Sequence, residues 1–552
     1  MAAFAHQFAR LVGPFHQVLL EARDLRDLAR LIRKRFRLVK RVRSGFIGAV
    51  YRAPILGLKG DMSASERQDN RQADRQDIRP DLCVIGAGTG GLAAAAAAAA
   101  FGVNVVLIER APMVSVISGE TSGAVSGEAF AGGALARQAF LAAAARARAG
   151  KAVDFAAVRA DLRDAVAATA PERSRERLHG LGVRVLQGEG RFRDAATVTV
   201  NDYDVKARRF VIATGSSPAP PDIPGLAEVP YLTTASVFEL DACPRHLVVI
   251  GATSAGLELA QGFRRFGAAV TVLEAATPLG DADAECAAIV LDALCREGIA
   301  VRCGVAVKRV GRRGDGIALD IGGEGGGDGG GEETIEASHI LFAAGRRPNT
   351  EALALEAAGI RSDASGIKVD RGLRTSNRQV YAIGDVTGAR KASHLVHHQA
   401  ALVVRNALFR TPVNADGHAV PVVTFTDPEL AQAGLTEDAA RARRMRIRIL
   451  RSAYRENDRA RATGKTAGHI KIVTDRKGTI VGATIVGAGA AEAIAAWTLA
   501  IDRKLNIEAM AGVIMPYPTY AEVGKRAAMT YFTRGLTSPL VRRIIVWLRR
   551  FG

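Results

Sequence analysis

Two segments of the chain carry one glycine-and-acid pattern at one spacing, and this repetition restricts the fold more than any other feature. In the first, Leu82-Cys83-Val84-Ile85 runs into Gly86-Ala87-Gly88-Thr89-Gly90-Gly91 and an alanine-rich stretch. In the second, Leu247 to Ile250 runs into Gly251-Ala252-Thr253-Ser254-Ala255-Gly256. The first glycine precedes a carboxylate by 23 residues in both, Gly86 to Glu109 and Gly251 to Glu274. Each intervening helix closes on a Phe-Gly pair, Phe101-Gly102 or Phe266-Gly267, whose glycine falls 16 residues after the first. A short apolar run, a glycine turn, a helix and a second apolar run ending in an acid describe a βαβ unit with a parallel sheet. In the first copy the second strand is expected over Val103 to Ile108.

Each residue type has a physical task in such a unit. Gly86 and Gly251 make the tight turn, Gly88 lets a pyrophosphate approach the backbone, and Gly91 and Gly256 allow close packing of helix on strand. Glu109 and Glu274 can accept hydrogen bonds from ribose hydroxyls. Thr253 stands where the second copy should have its middle glycine, so a Cβ crowds the pyrophosphate approach there. Glu274 repels a 2′-phosphate, and Ala275 and Ala276 supply no cation to hold one, so this site is expected to take NADH in preference to NADPH.

At 552 residues the chain exceeds what one hydrophobic core organises, and the length suggests roughly three or four domains. The 48% hydrophobic and 24% charged composition excludes a wholly disordered or collagen-like chain. Of the net charge of +19, residues 1–61 contribute +9 (13 basic against 4 acidic) and residues 62–80 contribute 0 (4 of each), leaving +10 for the body. The body has no dense basic stripe with interleaved aromatics, so no nucleic-acid partner is expected. Five irregularly spaced cysteines (Cys83, Cys243, Cys286, Cys295, Cys303) form neither a disulfide framework nor a C-x-x-C zinc pattern, and point to a reducing, cytoplasmic compartment.

Before the first domain, Leu25, Leu28, Ile32, Phe36 and Val39 recur at helical spacing among arginines and lysines, which suits an anionic membrane surface. Translation from Met62 is the competing expectation, with Ser63 to Pro80 a solvated tail. No apolar run of 18 residues exists to span a bilayer. Gly322 to Gly331 reads as a flexible hairpin tip.

Further motifs follow in fixed order: Val211-Ile212-Ala213-Thr214-Gly215, Leu341-Phe342-Ala343-Ala344-Gly345-Arg346-Arg347-Pro348-Asn349 and Tyr381-Ala382-Ile383-Gly384-Asp385. With the paired glycine turns they make the chain, from Asp81 to about Thr533, resemble the flavin-dependent pyridine nucleotide-disulfide oxidoreductases, most closely the mercuric reductase and dihydrolipoamide dehydrogenase branch. The resemblance implies an α/β protein with two Rossmann-like dinucleotide-binding domains and a C-terminal α+β dimerisation domain. The implied division is a basic extension over 1–80, an FAD domain over 81–228 and 347–412, an NAD domain over 229–346, a dimerisation domain over 417–533 and a basic tail over 534–552. FAD is implied at Gly86, Gly88, Gly91, Glu109, Ala213, Thr214, Gly215, Gly384 and Asp385, and NADH at Gly251, Gly256, Glu274 and Gly345. Asp385 suits flavin sugar hydroxyls, a helix cap being the alternative. A homodimer is implied by the family alone.

The resemblance fails at the sulfur chemistry. Disulfide-reducing members carry C-x-x-x-x-C after the first ribose acid, whereas no cysteine lies between Cys83 and Cys243, and the stretch reads Ile117-Ser118-Gly119-Glu120-Thr121-Ser122-Gly123-Ala124-Val125-Ser126-Gly127-Glu128. Thr121 with Ser126, or Ser122 with Gly127, fills the two positions, and no hydroxyl forms a disulfide. The histidine usual before Pro-Thr is Tyr517, with Glu522 retained, and the C-terminus lacks the cysteine pair that metal reduction requires in the mercuric reductase branch. His394, His397 and His398 read as packing or polar surface, with no metal site. The expectation is an FAD enzyme that takes hydride from NADH and serves a small-molecule, non-disulfide acceptor; no catalytic side chain is assigned. The alternatives are a nucleotide- or partner-binding relative without turnover, and a membrane-peripheral NADH dehydrogenase.

Overall fold

The computed structural model describes residues 75–113, 134–148, 154–323, 333–388, 392–536 and 539–551. The chain divides into Met1–Arg75 and Gln76–Gly552, and the elements below belong to the second unit. The basic helix expected over Leu25 to Val39, the Ile117 to Glu128 stretch and residues 324–331 of the glycine-rich tip lie outside the described residues.

Two five-stranded parallel sheets repeat one topology. In the first, the order is Val380–Ala382, Arg209–Ile212, Leu82–Ile85, Val105–Glu109 and Val183–Gln187. In the second it is Leu232–Thr233, His339–Phe342, His246–Ile250, Ala269–Glu274 and Ala300–Cys303. In both, the strand before the glycine turn is central and its buried residues, Leu82–Ile85 and Leu247–Val249, are all apolar, as a strand covered on two faces must be. The first copy's second strand begins at Val105 rather than the expected Val103, because Asn104 donates its N–H to Asp81 Oδ2 and its carbonyl accepts from Asp81 and Leu82. Asn104 thus closes the edge of the ladder.

The alanine-rich helix Thr89–Ala99 buries Ala94, Ala95, Ala98 and Ala99 against the first sheet and the Ser393–Phe409 helix. Its small side chains are a consequence of that close approach, since a Cβ on Gly90 would stand 2.2 Å from Val396 Cγ1. A correction applies to the end of the tail expected over Ser63 to Pro80, whose residues 63–74 lie outside the described residues: Gln76–Ile78 pairs in parallel with Tyr203–Val205 and Ile78 packs on the core, so these three residues are a sheet edge rather than solvated chain.

The chain leaves the first sheet's domain and returns to it through a two-stranded antiparallel pair, Ser216–Pro218 with Arg346–Pro348. A third, antiparallel sheet follows in the order Val422–Thr424, Glu429–Gly434, Ile480–Gly487, His469–Asp475, Ile447–Ala453. It is backed by the Ala490–Asp502 and Glu522–Leu536 helices around Trp497. The parallel sheets and this terminal α+β unit form the expected α/β architecture.

A buried ammonium fastens the third sheet to the second domain. Lys471, 6% exposed, lies 2.8 Å from Asp283, 2.9 Å from Glu437 and 3.1 Å from Glu285. Arg451 beside Glu285 holds that carboxyl down to about 2, below its ordinary 4.5. A depressed acid adds stability that is complete above its unfolded pKa, so this contribution disappears as pH falls from about 4.5 to about 2. Lys471→Met leaves Asp283 buried without its cation and is expected to cost about 3 kcal/mol in urea denaturation at neutral pH. A loss below about 1 kcal/mol would mean that water reaches the cluster.

Candidate functional site: two nucleotide turns at the sheet edges

Both glycine turns lie at the C-terminal ends of their central strands, where open parallel sheets bind ligands. Gly86 has φ +101°, and a Cβ there would stand 2.6 Å from the Ala213 carbonyl oxygen. Gly91 touches the turn from the helix side, its missing Cβ falling 1.8 Å from the Gly86 oxygen. Gly251, at φ +108°, abuts Ala344 at 2.6 Å, and Gly256 abuts the Gly251 oxygen at 2.2 Å. Only glycine fits these four positions. Gly88 differs: it is exposed, and its nearest neighbour to a built Cβ is Ala213 O at 3.9 Å. Space rather than strain therefore characterises the residue expected to face a pyrophosphate.

The acids are bonded to the turns identically. Glu109 Oε2 accepts the Ala87 N–H at 2.5 Å and Oε1 accepts the Ala111 N–H at 2.9 Å. Glu274 Oε2 accepts the Ala252 N–H at 2.7 Å and Oε1 the Ala276 N–H at 3.0 Å. Each carboxylate is thereby positioned across the mouth of its turn, partly exposed and with acceptor capacity remaining.

Thr253 separates the two copies. Its hydroxyl caps its own helix, accepting the Gly256 N–H at 3.2 Å and donating to Ala343 O at 2.8 Å. The corresponding Gly88 cap makes no side-chain bond. One helix N-terminal donor that the first turn leaves free is therefore satisfied internally in the second.

Ala213-Thr214-Gly215 follows Arg209–Ile212, the strand beside Leu82–Ile85, and Gly384-Asp385 follows Val380–Ala382, the next strand out, so both lie at the same end of the sheet as Gly86. Thr214 Oγ1 donates to Asn349 O at 2.8 Å, Asn349 Nδ2 donates to Thr214 O at 2.9 Å, and the Asn349 N–H donates to Gly215 O at 3.0 Å. These bonds knit the outgoing and returning chain. Gly345, at φ +77°, belongs to the same crossing, where a Cβ would meet Ala219 O at 2.5 Å.

Asp385 caps no helix through its side chain. Its Oδ2 accepts from Ser216 Oγ at 2.7 Å, and the same hydroxyl accepts from Arg346 Nε at 2.8 Å, with Arg346 Nε itself 3.9 Å from the carboxylate. Ser216 and Arg346 were not singled out in the sequence. Arg346 follows Gly345 in a recognised motif, but Ser216 carries no signal that local spacing could reveal.

None of the cysteines offers a poised thiol pair. All five are free; Cys83 is buried within the central strand and Cys286 in the second domain, where burial pushes both thiols up. Tyr517 is 70% exposed and donates to Asp458 Oδ2 at 3.2 Å, while Glu522 Oε2 accepts the Thr519 N–H at 3.2 Å. His394 lies against Pro421 O at 2.8 Å, and His398 meets the His418 ring edge-on at 4.8 Å.

A stripe of polar residues on the second turn's helix holds the third domain. Ser254 Oγ meets Thr424 Oγ1 at 2.7 Å, Glu258 Oε1 accepts the Phe425 N–H at 2.8 Å, Gln261 Oε1 accepts the Asp427 N–H at 2.8 Å, and Arg265 reaches Asp427 at 3.3 Å. The steps of four, three and four residues keep all of them on one helix face. Arg137 completes the stripe from the helix that follows residues 114–133, meeting Glu258 at 2.5 Å.

The family model for pyridine nucleotide-disulphide oxidoreductases matches residues 80–404, and that family's dimerisation domain matches residues 420–528. The chain is 32% identical over 485 residues to a mercuric reductase of Staphylococcus aureus, covering 85% of each chain. It is 34% identical over 476 residues to a mercuric reductase of Streptomyces lividans, covering 82% of this chain and 96% of that one. Against dihydrolipoyl dehydrogenase 3 of Pseudomonas aeruginosa the identity is 36% over 355 residues, 64% of this chain and 74% of the other. Among solved structures, the Cu(II) complex of the flavoprotein disulfide reductase RclA from Escherichia coli has the same fold, with TM-score 0.73 and 22% identity over 82% of this chain and 99% of that one. The paired turns, their acids and these matches agree: the chain belongs to the pyridine nucleotide-disulphide oxidoreductases, FAD-dependent enzymes linked to NAD(P)H, and carries that family's dimerisation domain.

Proposed function

We propose that the protein is an FAD-dependent oxidoreductase that accepts hydride from NADH and delivers the electrons to an acceptor other than a disulfide. The observation that carries this reading is the absence of any cysteine between Cys83 and Cys243 in a chain whose first nucleotide turn keeps all three of its glycines. FAD, when bound, supplies the two-electron chemistry, so loss of the thiol pair removes a relay but not the capacity for electron transfer. Disulfide exchange needs a thiolate, and neither serine nor threonine provides one.

The first turn fits a dinucleotide: Gly88 leaves room for a phosphate where a side chain would stand, and the helix behind it keeps uncapped donors. Gly86 and Gly91 hold the turn, Glu109 is assigned the ribose, and Ala213, Thr214, Gly215, Gly384 and Asp385 are assigned the remaining edge of the flavin site. Ser216 and Arg346 orient the Asp385 carboxylate. Gly251, Gly256, Glu274 and Gly345 are assigned to the nicotinamide cofactor, with the Glu274 charge favouring NADH.

Anaerobic addition of NADH to the purified yellow protein is expected to bleach its flavin, and reoxidation by a quinone or dye to restore it without added thiol. A flavin that remains oxidised under NADH would sink the proposal. Glu274→Ala is expected to reduce the preference for NADH over NADPH about tenfold, the worth of one charged hydrogen bond, read from the ratio of kcat/KM values.

One observation favours a second reading, a nucleotide-binding relative without turnover. Because Thr253 satisfies its own helix, the second turn offers fewer free donors than the first. Such a protein would be stabilised against heat by FAD or NADH yet would consume no NADH with any acceptor.

A further inference from the structure

We propose that the C-terminal helix Pro539–Leu548, with the turn Arg549–Phe551, is a docking element for an anionic membrane surface. The inference concerns where the enzyme sits and is independent of which acceptor it serves.

At helical spacing Val541, Ile544, Ile545, Trp547, Leu548 and Phe551 fall on one side, and Arg542, Arg543, Arg549 and Arg550 on the other. On a helix packed into a protein the apolar side is covered. Here Ile544 is 46% exposed, Trp547 55%, Leu548 51% and Phe551 72%. Trp547 and Phe551 meet edge-on at 4.9 Å, which joins them into one aromatic edge of the apolar face. The Trp547 indole, apolar in body with one polar N–H, favours the depth of lipid headgroups, and the Phe551 ring beside it adds apolar surface.

The charge around this face selects the occupant. From Val523 to Gly552 the sequence has seven basic side chains, Lys525, Arg526, Arg534, Arg542, Arg543, Arg549 and Arg550, and no acidic one. Arginines flanking an apolar face complement phospholipid headgroups above acyl chains. A nucleic acid would use the arginines but leave the apolar face in water, and a second copy of this chain would bring the same positive charge against itself. No described helix is long and apolar enough to cross a membrane, so the contact is one of lying on the surface.

Tryptophan fluorescence gives a local test in the intact, flavin-loaded chain, because of the two tryptophans Trp497 is 2% exposed and Trp547 is 55% exposed. Vesicles of mixed phosphatidylglycerol and phosphatidylcholine are expected to shift the emission to shorter wavelength and shield it from acrylamide; pure phosphatidylcholine vesicles are expected to do so at least about tenfold less well. Trp547→Phe should abolish the shift while vesicles still pellet the protein. The pair Ile544→Asp and Leu548→Asp should weaken vesicle binding at least about tenfold with dye reduction by NADH unchanged. Because the basic N-terminal extension is present throughout, binding that survives the aspartates with no Trp547 shift would overturn the assignment to this helix. So would Trp547 shielding that appears without vesicles and rises with protein concentration, which would indicate a second copy, or shielding produced by duplex DNA instead of vesicles.

Discussion

Gly88→Ala is expected to yield a folded protein that has lost most of its flavin, whereas Gly91→Ala is expected to yield no folded first domain. The two positions lie three residues apart in one turn, so the contrast separates space kept for a ligand from space needed by the fold. A Cβ at residue 88 has its nearest neighbour at 3.9 Å, so the polypeptide itself tolerates alanine. The methyl group instead occupies the approach assigned to the pyrophosphate, and retained FAD should fall at least about a hundredfold in affinity, equivalent to about 3 kcal/mol. A Cβ at residue 91 would stand 1.8 Å from the Gly86 oxygen and 3.0 Å from its carbonyl carbon, backbone atoms that no rotamer change can move aside. Relief requires the helix to move off the central strand, at a cost of at least about 3 kcal/mol. Flavin absorbance after gel filtration and far-ultraviolet circular dichroism read the two outcomes. Full flavin content in Gly88→Ala would remove this residue from the cofactor site.

The second large effect is expected far from either turn. Arg137→Met leaves the 1% exposed Glu258 side chain without its cation, and stability should fall by about 3–5 kcal/mol at neutral pH. Burial raises the Glu258 carboxyl above its ordinary 4.5, opposed first by Arg137 and then by the Phe425 N–H. Removing Arg137 raises it further. An acid with a raised folded pKa destabilises the native state when ionised, so the deficit should be full above that raised value and should shrink as pH falls towards 4.5. Urea denaturation from pH 8 to pH 5 reads the slope, and Glu258→Gln in the Arg137→Met background should recover much of the loss at pH 8. A deficit independent of pH would assign the effect to lost packing of the arginine stem.

The prediction has a functional side. Arg137 lies on the first helix described after residues 114–133, the region of the missing cysteine pair, and that helix packs Phe140 against Gly262, Phe263 and Phe266 of the second domain. A Cβ at Gly262 would stand 2.2 Å from the Phe140 ring. This interface joins the Ala134–Arg148 helix to the helix of the second nucleotide turn and, through Glu258 and Phe425, to the Thr424 to Asp427 loop.

The two βαβ units were legible before any coordinates because every signal they carry is local. A turn that excludes a Cβ, a strand buried on both faces and an acid at the end of the next strand fall at separations fixed by helix rise and strand length. Gly86 and Glu109, like Gly251 and Glu274, could therefore be read as pairs, and Ala87 and Ala252 bond to those acids as the spacing implies. The role of Thr253 was half legible: crowding followed from its Cβ, but its capping of its own helix depends on where the hydroxyl turns.

Tertiary structure decided what depends on remote partners. Ser216 and Arg346 meet at Asp385 across 169 and 39 residues of chain, and neither separation corresponds to a repeat of helix or strand. Ser254, Glu258, Gln261 and Arg265 form a regular polar stripe that by sequence reads as a solvated helix face, yet Glu258 and Gln261 are buried beneath the Thr424 to Asp427 loop. At the C-terminus the opposite holds: the segment that reads as a basic tail carries an apolar stripe that is left uncovered. Sequence periodicity specifies which face of an element differs from the others, but whether protein, lipid or water lies against that face is set by contacts from distant parts of the chain.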